Sequence, residues 1–159
     1  MSFLTASCGN ENHEDANQSQ LKLEHNKLLV QVYFNEVWNK GRIELLDSIL
    51  STNYINHTPS VKDADKGIAG LKPIILAIRK GIPDVHYDIQ DLIVTENRVV
   101  ARVIMKGTHS DTLFDLPPTE KHIEVNQINI EEIKDGKISE HWRVTDDLEL
   151  MRQVGVTGR

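Results

Sequence analysis

The sequence predicts an α+β domain, with helices first and a curved antiparallel sheet after them. Three observations carry this. Apolar residues recur at helical spacing from Leu21 to Trp38 and again from Leu71 to Ile78. From His86 onward they fall in strand-like runs. Turn signals at Glu96-Asn97 and Asp135-Gly136 punctuate those runs. Helices followed by a meander of strands that covers them is the α+β pattern.

The elements follow in order. The first helix is predicted over Leu21–Asn39, with Leu21, Leu28, Val32, Phe34, Val37 and Trp38 as its apolar residues and Lys40-Gly41 as its stop. Ile43–Leu50 reads as a second, short helix, and Asn53–His57 as an extended piece ended by Pro59. Val61–Lys66 is charged and reads as a loop. Gly67 opens a third helix whose apolar face is Leu71, Ile74, Ile75 and Ile78, closed by Gly81 and Pro83. Strands are expected at His86–Val94, Arg98–His109, His122–Ile133 and Lys137–Thr145. A long connection, Ser110–Pro118, interrupts them. Asp146–Val154 reads as a terminal helix. A strongly curled sheet of this kind packs helices into its concave side and leaves a pocket at the open end.

Bulk properties narrow the function. A chain of 159 residues fits one domain and buries a core without staples. The net charge of −6 argues against nucleic acid or an anionic membrane as partner, since both need clustered Lys and Arg. No apolar run is long enough for a transmembrane helix. A single cysteine, Cys8, rules out an intramolecular disulfide or a zinc site of several thiolates. The histidines have no ligand spacing, so no metal is expected, and with no phosphate loop or dinucleotide fingerprint no cofactor is expected either. The polar stretch from Gly9 to Gln20 is expected to be a disordered tail, leaving 21–159 as the folded domain. Before it, Phe3-Leu4-Thr5-Ala6-Ser7-Cys8 resembles the end of a bacterial lipoprotein signal, but without a basic region and with too short an apolar stretch. Two localisations follow: cytoplasmic as written, or lipid-anchored outside the cytoplasm through Cys8 had the true start lain upstream.

Several stretches then line up, in order, with a known family. They are Phe34-Asn35-Glu36-Val37-Trp38-Asn39-Lys40-Gly41, Tyr54-Ile55-Asn56-His57-Thr58-Pro59, Gly81-Ile82-Pro83-Asp84, Arg102 with Gly107-Thr108-His109, and Pro117-Pro118-Thr119. Last come Asp135-Gly136-Lys137-Ile138-Ser139-Glu140-His141-Trp142, Asp146 and Gln153-Val154-Gly155-Val156. The chain resembles the SnoaL-like polyketide cyclases (ester cyclases) over about Leu21 to Val156, nearly the whole domain. The resemblance implies the cone-shaped α+β barrel shared with nuclear transport factor 2. It also implies intramolecular aldol ring closure without cofactor or metal, with an aspartate at the Asp146 position as acid and base.

Candidate site residues combine this resemblance with the residues themselves. In strand alternation Glu140, Trp142, Val144 and Asp146 share a face, so Asp146 enters the pocket if Trp142 does. Asp146 or Asp147 could equally be the N-cap of the terminal helix. His57 would polarise a carbonyl or orient a hydroxyl, or else bond to a loop. His109 either lines the pocket mouth or braces the loop after it. Arg102 either faces solvent or pairs with Glu140 inside the cone, since a buried arginine needs such a partner. Asp146 and His57 are thus the catalytic candidates, and Tyr54, Arg102, His109, Glu140 and Trp142 the substrate-binding ones. A non-catalytic binder of a small apolar ligand would use the same cone. Val125 and Ile133 lie on one parity of their strand, Ile128 and Ile130 on the other. One face fills the cone, so the other is expected to be covered in a homodimer.

Overall fold

The computed structural model describes residues 10–61 and 65–155. Helix α1 (Asn10–Val32) runs on as a π-helical segment, Tyr33–Trp38. A 3₁₀ turn at Ile43–Leu45 leads into the single-turn helix α2 (Leu46–Ile49) and strand β1 (Leu50–Asn56). Helix α3 (Gly67–Gly81) precedes β2 (His86–Val94), β3 (Arg98–His109), β4 (Lys121–Lys134) and β5 (Lys137–Thr145), and α4 (Asp147–Val154) ends the order. The strands form one sheet in the order β1-β5-β4-β3-β2. It is curved and unclosed.

The pairs β2–β3 and β4–β5 are antiparallel, as their turn signals predict, and β3–β4 is antiparallel across the longer connection. Asp135 and Gly136 both have positive φ, 52° and 72°, as a two-residue hairpin of this chemistry requires. β1 departs from the expected meander. It begins at Leu50 and joins the outer edge of β5 in parallel. Nothing local announces this, because a parallel partner 80-odd residues away leaves no turn signature.

The first helix also differs from expectation. It starts at Asn10, so Asn10–Gln20 is helical where the composition predicts a disordered tail. Cys8 lies outside the described residues. The buried residues of this first helical stretch are Asn26, Leu29, Val30, Tyr33, Phe34, Val37 and Trp38, whereas Leu21 and Leu28 stay exposed. Leu21 and Leu28 lie on the side of α1 opposite the Asn26, Leu29, Val30 and Tyr33 stripe, and the π-helical turn after it keeps Phe34, Val37 and Trp38 on the buried side by widening the period toward four residues. Asn26 donates to the Thr95 and Glu96 carbonyls, at 2.9 and 3.1 Å, and ties this helix to the β2–β3 turn.

The concave face of the sheet holds the core. Val99, Ala101, Val103 and Met105 of β3 alternate inward, as do Ile123, Val125 and Ile133 of β4. Tyr33, Phe34, Trp38 and Tyr87 pack edge-on or tilted, with ring centroids 5.2–6.1 Å apart. Asn39 exchanges two hydrogen bonds with the Tyr87 backbone, 2.7 and 3.1 Å, and so completes the free edge of β2. Arg79 of α3 donates to the carbonyls of Trp38 and Asn39, 2.8 and 2.9 Å, capping the end of the first helical segment.

Candidate functional site

The open end of the curved sheet holds a cavity of about 870 Å³. Its apolar wall comes from α3 and the residue after it (Ile78, Ile82), from the loop that follows β3 (Leu113, Phe114, Leu116) and from α4 (Leu150, Met151, Val154). Gly81 lets that loop lie close: its carbonyl accepts from the Ser110 and Asp111 amides at 3.1 and 3.2 Å. A Cβ there would meet the Leu113 Cβ at 2.7 Å.

The sheet supplies the polar wall. On the concave face β4 and β5 carry three successive polar pairs: Gln127 opposite Thr145, Asn129 opposite Arg143, and Glu131 opposite His141. Gln127, Thr145 and Arg143 line the cavity. The Arg143 guanidinium donates to Ser60 Oγ at 2.9 Å. Tyr87 also lines it. Burial pushes the Tyr87 hydroxyl above its ordinary value, and the positive charge of Arg143 opposes that rise. Deeper lies a sealed pair, His141 Nδ1 and Glu131 Oε1 at 2.8 Å, with Glu131 fully buried. The Tyr33 and Tyr54 hydroxyls are raised first by burial, with the Glu131 carboxylate adding to the rise in both.

Asp146 occupies the alternative position that its sequence allows. Its exposed side chain accepts the Glu149 amide at 3.1 Å and is the N-cap of α4. It does not line the cavity, whereas its neighbour Asp147 does, at the rim. The alternation has the opposite phase from the one that would bring Asp146 in. His141, Arg143 and Thr145 point to the concave side, while Glu140, Trp142 and Val144 lie on the convex side.

His57, the residue after β1, lines the cavity mouth. Its Nε2 is 2.6 Å from Glu140 Oε2, and its ring stacks on Trp142. Three predicted residues, His57, Glu140 and Trp142, therefore come together beside the rim, and of the three only His57 lines the cavity. Arg102 does not join them or pair with Glu140. It is on the convex side, bonded to Asp91 at 2.7 Å. His109 is fully buried, holds Thr119 Oγ1 at 3.0 Å and accepts the Thr119 and Glu120 amides on its carbonyl, so it braces the loop. Tyr54 is buried and places its hydroxyl in the sealed polar group. Sequence reasoning missed Arg143, Gln127 and Glu131. The signal for them is polar residues at alternate positions in strands whose opposite parity is also apolar.

The sequence pattern described as SnoaL-like polyketide cyclase matches residues 28–154. The chain belongs to the SnoaL-like polyketide cyclase family. Among its relatives, nogalonic acid methyl ester cyclase from Streptomyces nogalater is 23% identical over 120 residues, 74% of this chain and 89% of that one. TsrD from Streptomyces laurentii shares the fold with a TM-score of 0.76 and 26% identity, covering 84% of this chain and 97% of that one. A candidate polyketide cyclase from Bacillus cereus ATCC 10987 has a TM-score of 0.70 and 33% identity, over 82% of this chain and 80% of that one. SnoaL-like family membership supports a cyclase acting on a small molecule.

Proposed function

We propose that this SnoaL-like protein closes a ring in a small carbonyl compound by an intramolecular aldol step, with His57 as the proton acceptor and Arg143 as the oxyanion partner. The observation that carries the reading is the division of the cavity. It has one apolar wall, one polar wall holding a half-buried guanidinium, and at its mouth His57, whose ring is bonded to Glu140 on the convex side.

The roles follow from the chemistry of each group. An ionised carboxylate only accepts, so His57 donates its Nε2–H to Glu140 and keeps a free lone pair on Nδ1. This is the orienting arrangement that makes an imidazole a general base. His57 removes a proton next to a carbonyl, and the electron pair moves to that oxygen as an enolate. The Arg143 guanidinium stabilises the negative oxygen in a cavity that is drier than bulk water. The enolate carbon attacks a second carbonyl of the same molecule, forming one carbon–carbon bond. The new alkoxide takes a proton back, from the imidazolium directly or through water, and the proton balance closes. Asp146 enters this scheme only by starting α4, which carries Leu150, Met151 and Val154 into the apolar wall.

The test is product analysis with nogalonic acid methyl ester and a panel of related keto esters and keto acids. Ring closure above the uncatalysed rate that falls in Arg143→Met supports the scheme. No closure of any panel member, with the protein folded, contradicts it.

A further inference from the structure

Below the cavity floor the concave face continues as a run of buried polar side chains. Gln127 and Met105 form part of that floor. Their mutual contact is weak, a Gln127 amide to the Met105 sulfur at 3.8 Å. One rung inward on β4, about 7 Å deeper by strand geometry, stands Asn129, and one rung further Glu131. Both are 2% exposed or less.

Among the described residues, three buried side-chain atoms of this face and of β1 find no hydrogen-bond partner by geometry: Asn129 Nδ2, Glu131 Oε2 and the Tyr54 hydroxyl. At least nine in ten buried polar atoms in folded proteins find a partner, and an orphan is destabilising. Asn129 and Glu131 stand two residues apart on the same face of β4, and the Glu131 charge reaches the Tyr54 hydroxyl, which neighbours that of Tyr33, so the group is a matched set. Asn129 supplies a donor, Glu131 an acceptor, and Tyr54 either. Glu131 is held in place by His141 on its other oxygen.

Resting on the reading of the main cavity as a ligand site, we infer that Asn129, Glu131 and Tyr54 form an inner subsite that binds the oxygenated end of the ligand, entered by displacement of the Gln127–Met105 floor. The group it fits is a ring edge bearing a hydroxyl beside a second hydroxyl or a carbonyl. The hydroxyl donates to Glu131 Oε2 and the second oxygen accepts from Asn129 Nδ2. The rest of the ligand stays in the outer cavity against Leu150 and Met151, with Arg143 between the two compartments. Selection follows from the orphaned groups: an apolar end group leaves all three unpaired and is rejected.

The experiment is a titration of isotope-labelled protein with catechol, and with toluene as the apolar control, followed by NMR. Catechol is expected to move the His141 ring and Asn129 side-chain signals, while toluene moves only the Leu150 and Met151 methyls. Asn129→Leu should weaken catechol binding about tenfold, the loss of one buried hydrogen bond. Gln127→Ala, which opens the floor without touching the orphaned groups, should strengthen it. A purely structural role for the polar group does not move the two variants in opposite directions. Catechol shifts confined to Leu150 and Met151 overturn the inner subsite and leave the cavity reading standing. No shift with either compound overturns both.

Discussion

The His57 imidazole lies flat on the Trp142 indole, with ring centroids 4.4 Å apart and planes within 4°. Stacking and the Glu140 contact together fix the ring in two directions. A histidine at a strand end would otherwise sample several rotamers. Arg98 approaches the same indole, 5.8 Å from its centroid. Trp142 therefore links the cavity mouth to the convex face. Trp142→Leu is expected to keep the fold but loosen His57, lowering turnover more than melting temperature. A loss of stability with unchanged turnover would show that the stack serves only the core.

Asp146 separates capping from catalysis. Asp146→Asn is expected to be silent in melting and in turnover, because asparagine caps as well as aspartate. Asp146→Ala should cost about 1 kcal/mol of stability. A large loss of rate in the asparagine variant, at unchanged melting temperature, would restore Asp146 as the proton-transfer group.

The fold was largely legible in the sequence, since the hairpins have their own turn chemistry and α3 a clean apolar stripe. The π-helical turn and the parallel seat of β1 were not, because neither follows from a single local period. The site was half legible. His57, Glu140 and Trp142 do meet, but the phase of β5 could not be read by alternation. Ile138, Trp142 and Val144 share one parity, yet the register shift between Glu132 and Ile133 puts Ile138 inside and Val144 outside, and a one-residue slip of this kind leaves no mark in the sequence.

Gly81→Ala tests how the mouth is built. The added Cβ would crowd Leu113. The loop from Ser110 to Pro118 must shift outward, so ligand affinity should fall while secondary structure stays intact. Unchanged affinity would mean that this loop does not shape the cavity.

The convex face carries Ile128 and Val144 directly opposite each other, 41% and 73% exposed. The half-buried Ile130 and Trp142 form the next pair on that face. A second copy packed on this face would cover them. Light scattering should give about twice the 18.1 kDa chain mass, and Val144→Lys should return it to the monomer value. A monomeric wild type contradicts the covered face.

Asp84 gives a pH test. Its carboxylate accepts the Thr108 amide at 2.6 Å and the Thr108 hydroxyl at 2.9 Å. The amide bond, foremost, holds its pKa below the ordinary 3.8. The folded state therefore binds this proton less readily than the unfolded chain. The contribution is full above the unfolded value and disappears as pH falls through the folded one. The gap in melting temperature between wild type and Asp84→Asn should be present at pH 6 and shrink toward pH 3. A gap that grows on acidification would contradict the assignment.

The pH–rate profile of ring closure, compared between wild type and His57→Asn, tests the central claim most directly. The wild type should lose rate on acidification, because a protonated imidazole cannot accept the substrate proton. His57→Asn should lower the rate by about 10² to 10⁴ and abolish that limb, with melting little changed. A variant that keeps the full rate and the same acid limb would show that His57 does not take the proton.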